Sequence, residues 1–153
     1  MIVRVAPEAF DPQAETASFV SGRDEPGALA SFVGYCRAAT EGTEVSELSI
    51  DHYPGFTERE IARLAGDIHH RFGCLDLLVI HRVGKIAPGE AIVLVAALAI
   101  HRGEAFDAVR ILMDYLKTDA PLWKKETGPA GARWIEPRAE DHARRAVAGK
   151  EMA

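Results

Sequence analysis

Long apolar runs are missing from this 153-residue chain. The longest, Ala91 to Ile100, is ten residues, about half of what a membrane-spanning helix needs. Arg4, Pro7 and Glu8 interrupt the N-terminus, so no secretory leader is legible there. Cysteine is scarce: Cys36 and Cys74 stand too far apart to form a CxxC pair, which excludes a disulfide scaffold and points to reduced thiols in a cytoplasmic protein. Positive charge is not in excess. Eighteen Lys and Arg against 23 Asp and Glu give a net charge of −5, which argues against a broad nucleic-acid surface and confines any anion site to a local basic cluster. Four common chemistries have no motif here: there is no GxxxxGKS/T, no GxGxxG opening a helix, no HExxH and no GxSxG. None of the six histidines is spaced with cysteine as in a structural zinc site. Neither a metal nor a cofactor is expected.

What is present suits one ordinary soluble domain, with 48% hydrophobic and 27% charged residues. Short alternation predicts a strand over Ile2 to Val5. Asp11-Pro12 predicts a helix start, with Asp as N-cap and Pro in the first turn, and a helix to about Val20. Ala28 to Cys36 reads as a buried strand with a bulge at Gly34, and Ala38 to Glu44 as a polar loop. Val45 to Tyr53 alternates as a half-buried strand. Thr57 and Glu60 have the spacing of a capping box, ahead of a helix burying Ile61, Leu64, Ala65, Ile68 and Phe72 and stopping at Gly73. Leu75 to Val83, with His81-Arg82 interrupting its end, and Ala91 to Ile100 predict a hairpin of two strands, the second central. A helix from about Glu104 to Lys117 should bury Phe106, Val109, Met113 and Leu116, and Ala132 to Glu136 reads as a last strand. The elements predict a single α+β domain over residues 1–137 with a mainly antiparallel sheet and packed helices. A polar stretch over 138–153 follows, either a frayed helix or a disordered tail.

The chain is organised around MDYLKTDAPLWKKE, Met113 to Glu126. Lys117 lies on the last turn of a helix that Pro121 cannot continue, and Lys124 and Lys125 follow directly after Trp123. The enforced turn can aim two ammonium groups at one spot, which favours an anionic ligand and, with desolvation, lowers one lysine's pKa into a useful range. A solvated basic helix end would leave the same pattern. His101-Arg102, where the central strand gives way to a helix, is a natural anion site; an arginine paired with a surface carboxylate beside a hydrogen-bonded histidine fits equally well. Cys36 beside Arg37 is either a reactive thiol or plain packing.

On these residues the chain resembles the catalytic (large) subunits of molybdopterin synthases. The matching stretches are FVGYCR (Phe32 to Arg37), LSIDHYPGFTE (Leu48 to Glu58), IHRVGKIAPGEAIVLVAALAIHRGEAFDA (Ile80 to Ala108), MDYLKTDAPLWKKE and RWIE (Arg133 to Glu136). The resemblance implies an α/β hammerhead-type fold and a sulfurtransferase of molybdenum cofactor biosynthesis that converts cyclic pyranopterin monophosphate to molybdopterin. It also implies a homodimer of large subunits within a heterotetramer. Each large subunit would accept the C-terminal Gly-Gly thiocarboxylate of a small ubiquitin-like sulfur carrier. By motif position the implied catalytic residues are Lys117 and Lys124, and the implied substrate-binding positions are Tyr35, Cys36, Arg37, His101, Arg102, Lys125 and Glu126. Two departures stand out: Cys36 replaces an aliphatic or small residue, and Ala38 to Glu44 is not rich in asparagine. Two other readings of the same residues are an imine-forming lysine enzyme on this scaffold and a non-catalytic module that binds the carrier.

Overall fold

Two apolar segments set the architecture of the computed structural model, which describes residues 1–153. Strand β6 (Asp76–Arg82) and strand β8 (Ala91–Ala99) pair antiparallel, and each is buried on both faces along almost its whole length. Strand β1 (Ile2–Ala6) adds to β6 in parallel, and strand β2 (Ala28–Tyr35) adds to β8 antiparallel, giving the order β1-β6-β8-β2. Helices cover both faces, which is why the two inner strands read as continuous apolar runs. Helix α2 (Phe56–Phe72) and helix α3 (Arg102–Thr118) lie on one face, where Ile61, Leu64 and Ile68 meet Leu77, Val79, Val95, Ile111 and Leu112 in the main core. Helix α1 (Pro12–Val20) covers the other face through Phe19, against Leu78, Ile80, Leu94 and Leu98. Asp11 caps α1 as expected, accepting from the amides of Gln13 and Ala14.

A second sheet has the order β10-β9-β5-β7, built from strands β5 (Glu47–His52), β7 (Gly84–Ile86), β9 (Leu122–Gly128) and β10 (Gly131–Ile135), all antiparallel. A seam of Cys36, Leu48, Ile50, Val83 and Ile86 joins it to the first sheet. Strands β3 (Ala39–Thr40) and β4 (Thr43–Glu44) form a small ribbon where a polar loop was expected. The fold is α+β and mainly antiparallel, with β1–β6 the parallel exception.

Several expectations need correction. The Ala28 to Cys36 strand is an edge strand with Leu29, Phe32 and Tyr35 exposed, because nothing pairs with its outer side; the register shift after Gly34 is present. The capping box does not form. Gly55, at φ 81°, already turns the chain into α2 at Phe56, so Thr57 falls inside the first turn and bonds elsewhere, and Glu60 pairs with Arg63. The β6–β8 pairing is real, yet the connection is no simple turn, since β7 within it crosses to the second sheet. His81 and Arg82 do not interrupt β6; both are buried within it. Helix α3 starts at Arg102 and buries Ala105, Ala108, Ile111 and Leu112, leaving Phe106 65% exposed. The polar C-terminal stretch forms helix α4 (Ala139–Met152), laid on the main core through fully buried Ala148.

Candidate active site

The turn between α3 and β9 brings the lysines together. The last turn of α3 closes when the Asp119 amide donates to the Tyr115 carbonyl, and the Leu122 amide bonds back to the Ala120 carbonyl at 2.8 Å. Pro121 sits inside this tight turn, without an N–H to extend the helix. Side chains alternate along β9. Leu122, Lys124 and Glu126 share one face with Lys117 of α3, while Trp123 and Lys125 take the other.

That inner face closes a cavity of about 370 Å³ lined by Arg37, Thr40, Lys117, Lys124 and Glu126, with Arg138, Glu140, Asp141 and Arg144 from the C-terminal segment. Lys124 is half-buried within it and Lys117 is exposed at its rim. The pKa of Lys124 is lowered to about 8, first by burial and then by the Lys117 ammonium, with the Asp141 carboxylate opposing both. Lys124 is therefore brought toward neutrality, and it is the lysine that burial reaches, while Lys117 stays exposed. Glu126 is fully engaged: one oxygen accepts from the Thr40 hydroxyl at 2.8 Å, and the other pairs with Arg133 at 3.2 Å. This ties the β3–β4 ribbon, next to Arg37, to the β9–β10 hairpin.

Of the expected site residues, Arg37, Lys117, Lys124 and Glu126 meet in the cavity. Lys125 does not; it lies on the outer face of β9, its ammonium 5.4 Å from the centre of the Trp134 ring. Tyr35 is exposed on the edge strand. Cys36 is buried in the seam, with its amide donating to Glu90 and its carbonyl accepting from Gly89, so neither side chain nor backbone is free to meet a ligand. Burial, then Glu126 and Glu90, raise the Cys36 pKa, which disposes of a reactive thiol. His101 and Arg102 are exposed at the far end of α3, about 22 Å along the helix axis from Lys117. Sequence reasoning missed Thr40, Arg138, Asp141 and Arg144, which reach the cavity by long-range packing that no local pattern marks.

A larger, shallower depression of about 640 Å³ lies among Pro7, Tyr53, Val83, Gly84, Trp123 and Trp134 and contains no lysine or arginine. Nowhere do three or more His, Cys, Asp or Glu side chains group as metal ligands, and no helix is long and apolar enough to cross a membrane.

Fold and cavity together define a single α+β domain with a basic cavity in which two lysines and three arginines meet. The family described as MoaE protein matches residues 5–119, and the chain belongs to it. It is 50% identical over 141 residues to the molybdopterin synthase catalytic subunit of Caulobacter vibrioides, covering 92% of this chain and 93% of that one. The solved molybdopterin biosynthesis MoaE protein of Burkholderia ambifaria superposes with a TM-score of 0.81 at 41% identity, covering 97% of both chains. The same fold recurs at 18% identity and a TM-score of 0.75 in a complex of subunits 1 and 2 of molybdopterin-converting factor from Helicobacter pylori, covering 90% of this chain and 92% of that one.

Proposed function

We propose that this chain is the sulfur-inserting subunit of a molybdopterin synthase, acting on cyclic pyranopterin monophosphate with sulfur carried on a small ubiquitin-like partner. The observation that carries the reading is the convergence of Lys117 and Lys124 on one cavity, with Lys124 lowered to about 8. Near neutral pH Lys124 is still mostly an ammonium, able to neutralise a thiocarboxylate and the charge that develops as its sulfur attacks. It also loses its proton readily enough to hand it to a leaving oxygen. Lys117, exposed at the rim, meets the pterin as acid, base or imine former. Arg37 offers its guanidinium fork to the phosphate.

His101 and Arg102 stand too far along α3 to join the cavity of their own chain. If they bind substrate they do so from a second copy, so we assign the working unit as a homodimer of large subunits, each with its carrier. The carrier's glycine-ended tail fits a cavity that larger side chains would fill, and its terminal charge meets Lys124. The test is a product assay with thiocarboxylated carrier, intact or lacking its last two glycines. Intact carrier should yield molybdopterin, and the truncated form should yield none even where docking survives. Sulfur transfer at full rate from truncated carrier or free sulfide would overturn this reading.

A further inference from the structure

Thr57 is an oddity in a first helical turn. It is fully buried, the most deeply covered of five buried polar residues, and its hydroxyl makes no cap for α2. The oxygen accepts the amide of Tyr53 at 3.0 Å, and the hydroxyl proton goes to the carbonyl of Pro121 at 3.0 Å, 64 residues away. Pro121 lies inside the tight turn that separates Lys117 from Lys124. Being proline, it offers no amide, so its carbonyl is the one backbone handle at that position. The turn has a second tether on its other side, where Arg145 of α4 grips the Asp119 carboxylate through two nitrogens at 2.7 to 2.9 Å. The two tethers differ in setting. Arg145–Asp119 is partly solvated, whereas Thr57 lies where an unmade hydrogen bond has no water to replace it.

We propose that Thr57 is a positioning residue for the lysine pair, its hydroxyl fixing the Pro121 turn and thereby the approach of Lys124 to Lys117. The inference rests on reading Lys117 and Lys124 as the working pair. Through Pro121, α2 sets how deeply Lys124 sinks into the cavity and how strongly it feels the Lys117 ammonium, the two causes that bring its pKa to about 8. Asp141 of α4 opposes both causes. The other charged groups sharing the cavity with Lys124 are Arg37, Glu126, Arg138, Glu140 and Arg144. Buried His81 of β6 is near enough for Lys124 to lower its pKa, while Ile50 and Ile135, the cross-strand neighbours on β5 and β10, are apolar. Freed from its tether, Lys124 should titrate closer to an ordinary lysine.

The experiment compares Thr57→Val, near-isosteric without the hydroxyl, with Thr57→Ser, which keeps it, and uses Arg145→Ala as the surface control. The first readout is the titration midpoint of Lys124 by lysine side-chain NMR, assigned by its loss in Lys124→Gln and independent of any assay of sulfur transfer. Thr57→Val should raise the midpoint by about one pH unit, the equivalent of losing one hydrogen bond's worth of order. It should also lower kcat about tenfold with KM for the pterin nearly unchanged. Thr57→Ser should restore both, and Arg145→Ala should leave both in place. Should valine prevent folding, Thr57→Cys, with its feeble donor, replaces it and carries the same expectations. A Thr57→Val protein that loses thermal stability alone, with midpoint and kcat per folded molecule unchanged, would reduce Thr57 to a structural residue. So would a serine variant as impaired as the valine one. A shifted midpoint with no sulfur transfer from any form would uphold the tether and sink the proposed activity instead.

Discussion

The two sheets use the same kind of strand for opposite ends. In the larger sheet every residue of β6 and all but one of β8 is buried, so its stability comes from apolar burial and close packing. In the smaller sheet no residue of β9 or β10 is fully buried. That sheet is held by cross-strand pairing, by Glu126 bridging Thr40 and Arg133, and by the Thr57–Pro121 bond. Its reward is chemical: a strand that is not packed tight on both sides can carry Lys124 half-buried and charged. Rigid burial and usable charge are kept in separate sheets and meet only along the seam of Cys36, Leu48, Ile50, Val83 and Ile86.

The contrast can be broken from either side. The largest effect is expected at the cavity. Lys117→Ala should cut turnover by about a thousandfold or more, within the range for a lost acid, base or nucleophile, with circular dichroism and melting temperature unchanged because the side chain is exposed. Lys117→Arg should fail equally, since arginine does not give up its proton; near-normal turnover in either variant would remove Lys117 from the mechanism. Next is the larger sheet, where Leu98→Ala on β8 empties a fully buried site and should cost about 2–5 kcal/mol in denaturant unfolding. Turnover per folded molecule should hold. A matching loss of specific activity would mean that the sheets are not separable.

The smallest effect on stability runs against intuition. Lys124 has its pKa depressed to about 8 from 10.5, so over that interval the unfolded chain binds the extra proton, and stability rises with pH from about 8 upward. Below pH 8 the ammonium is a net burden on the fold. Lys124→Met should therefore abolish activity yet stabilise the protein at neutral pH, by about 1–2 kcal/mol once solvent reaching the half-buried side chain is allowed for. The gain should shrink as pH climbs toward 10. A destabilised methionine variant would show that Lys124 holds the small sheet together.

These differences also explain what could be read from the sequence. Helices α2 and α3 and strands β6 and β8 were legible because burial imprints a period or a run on the chain. The edge position of β2 was not, since an apolar stretch tells that one face is covered and says nothing of which hydrogen-bonding side is paired. Thr57 looked like a helix cap by spacing; a positive φ at Gly55 moved the helix start by two residues and freed the hydroxyl for Pro121. Within the cavity, Lys117 and Lys124 were legible from the turn that Pro121 enforces, and Arg37 and Glu126 through the stretches that resemble a family. Lys125 came from the same turn and His101 and Arg102 from a strand-to-helix junction, yet chain position alone could not reveal that a 17-residue helix, or the opposite face of a strand, stands between them and the lysines.

The Thr40–Glu126 bond spans 86 residues, and that span orders events in time. Local and near-neighbour contacts form fastest, and pairings that close long loops come late. A chain leaving the ribosome can fold α2 onto β6 and β8 as soon as those are made, and β5 can pair with β7, while the other side of β5 waits for β9 and the Thr40–Glu126 bond waits with it. Most of the apolar platform is then in place before any cavity exists. Folding intermediates of this protein should be compact and inert, carrying Lys124 in water at its ordinary proton affinity, and the capacity to bind a charged tail should arrive only with the last strands.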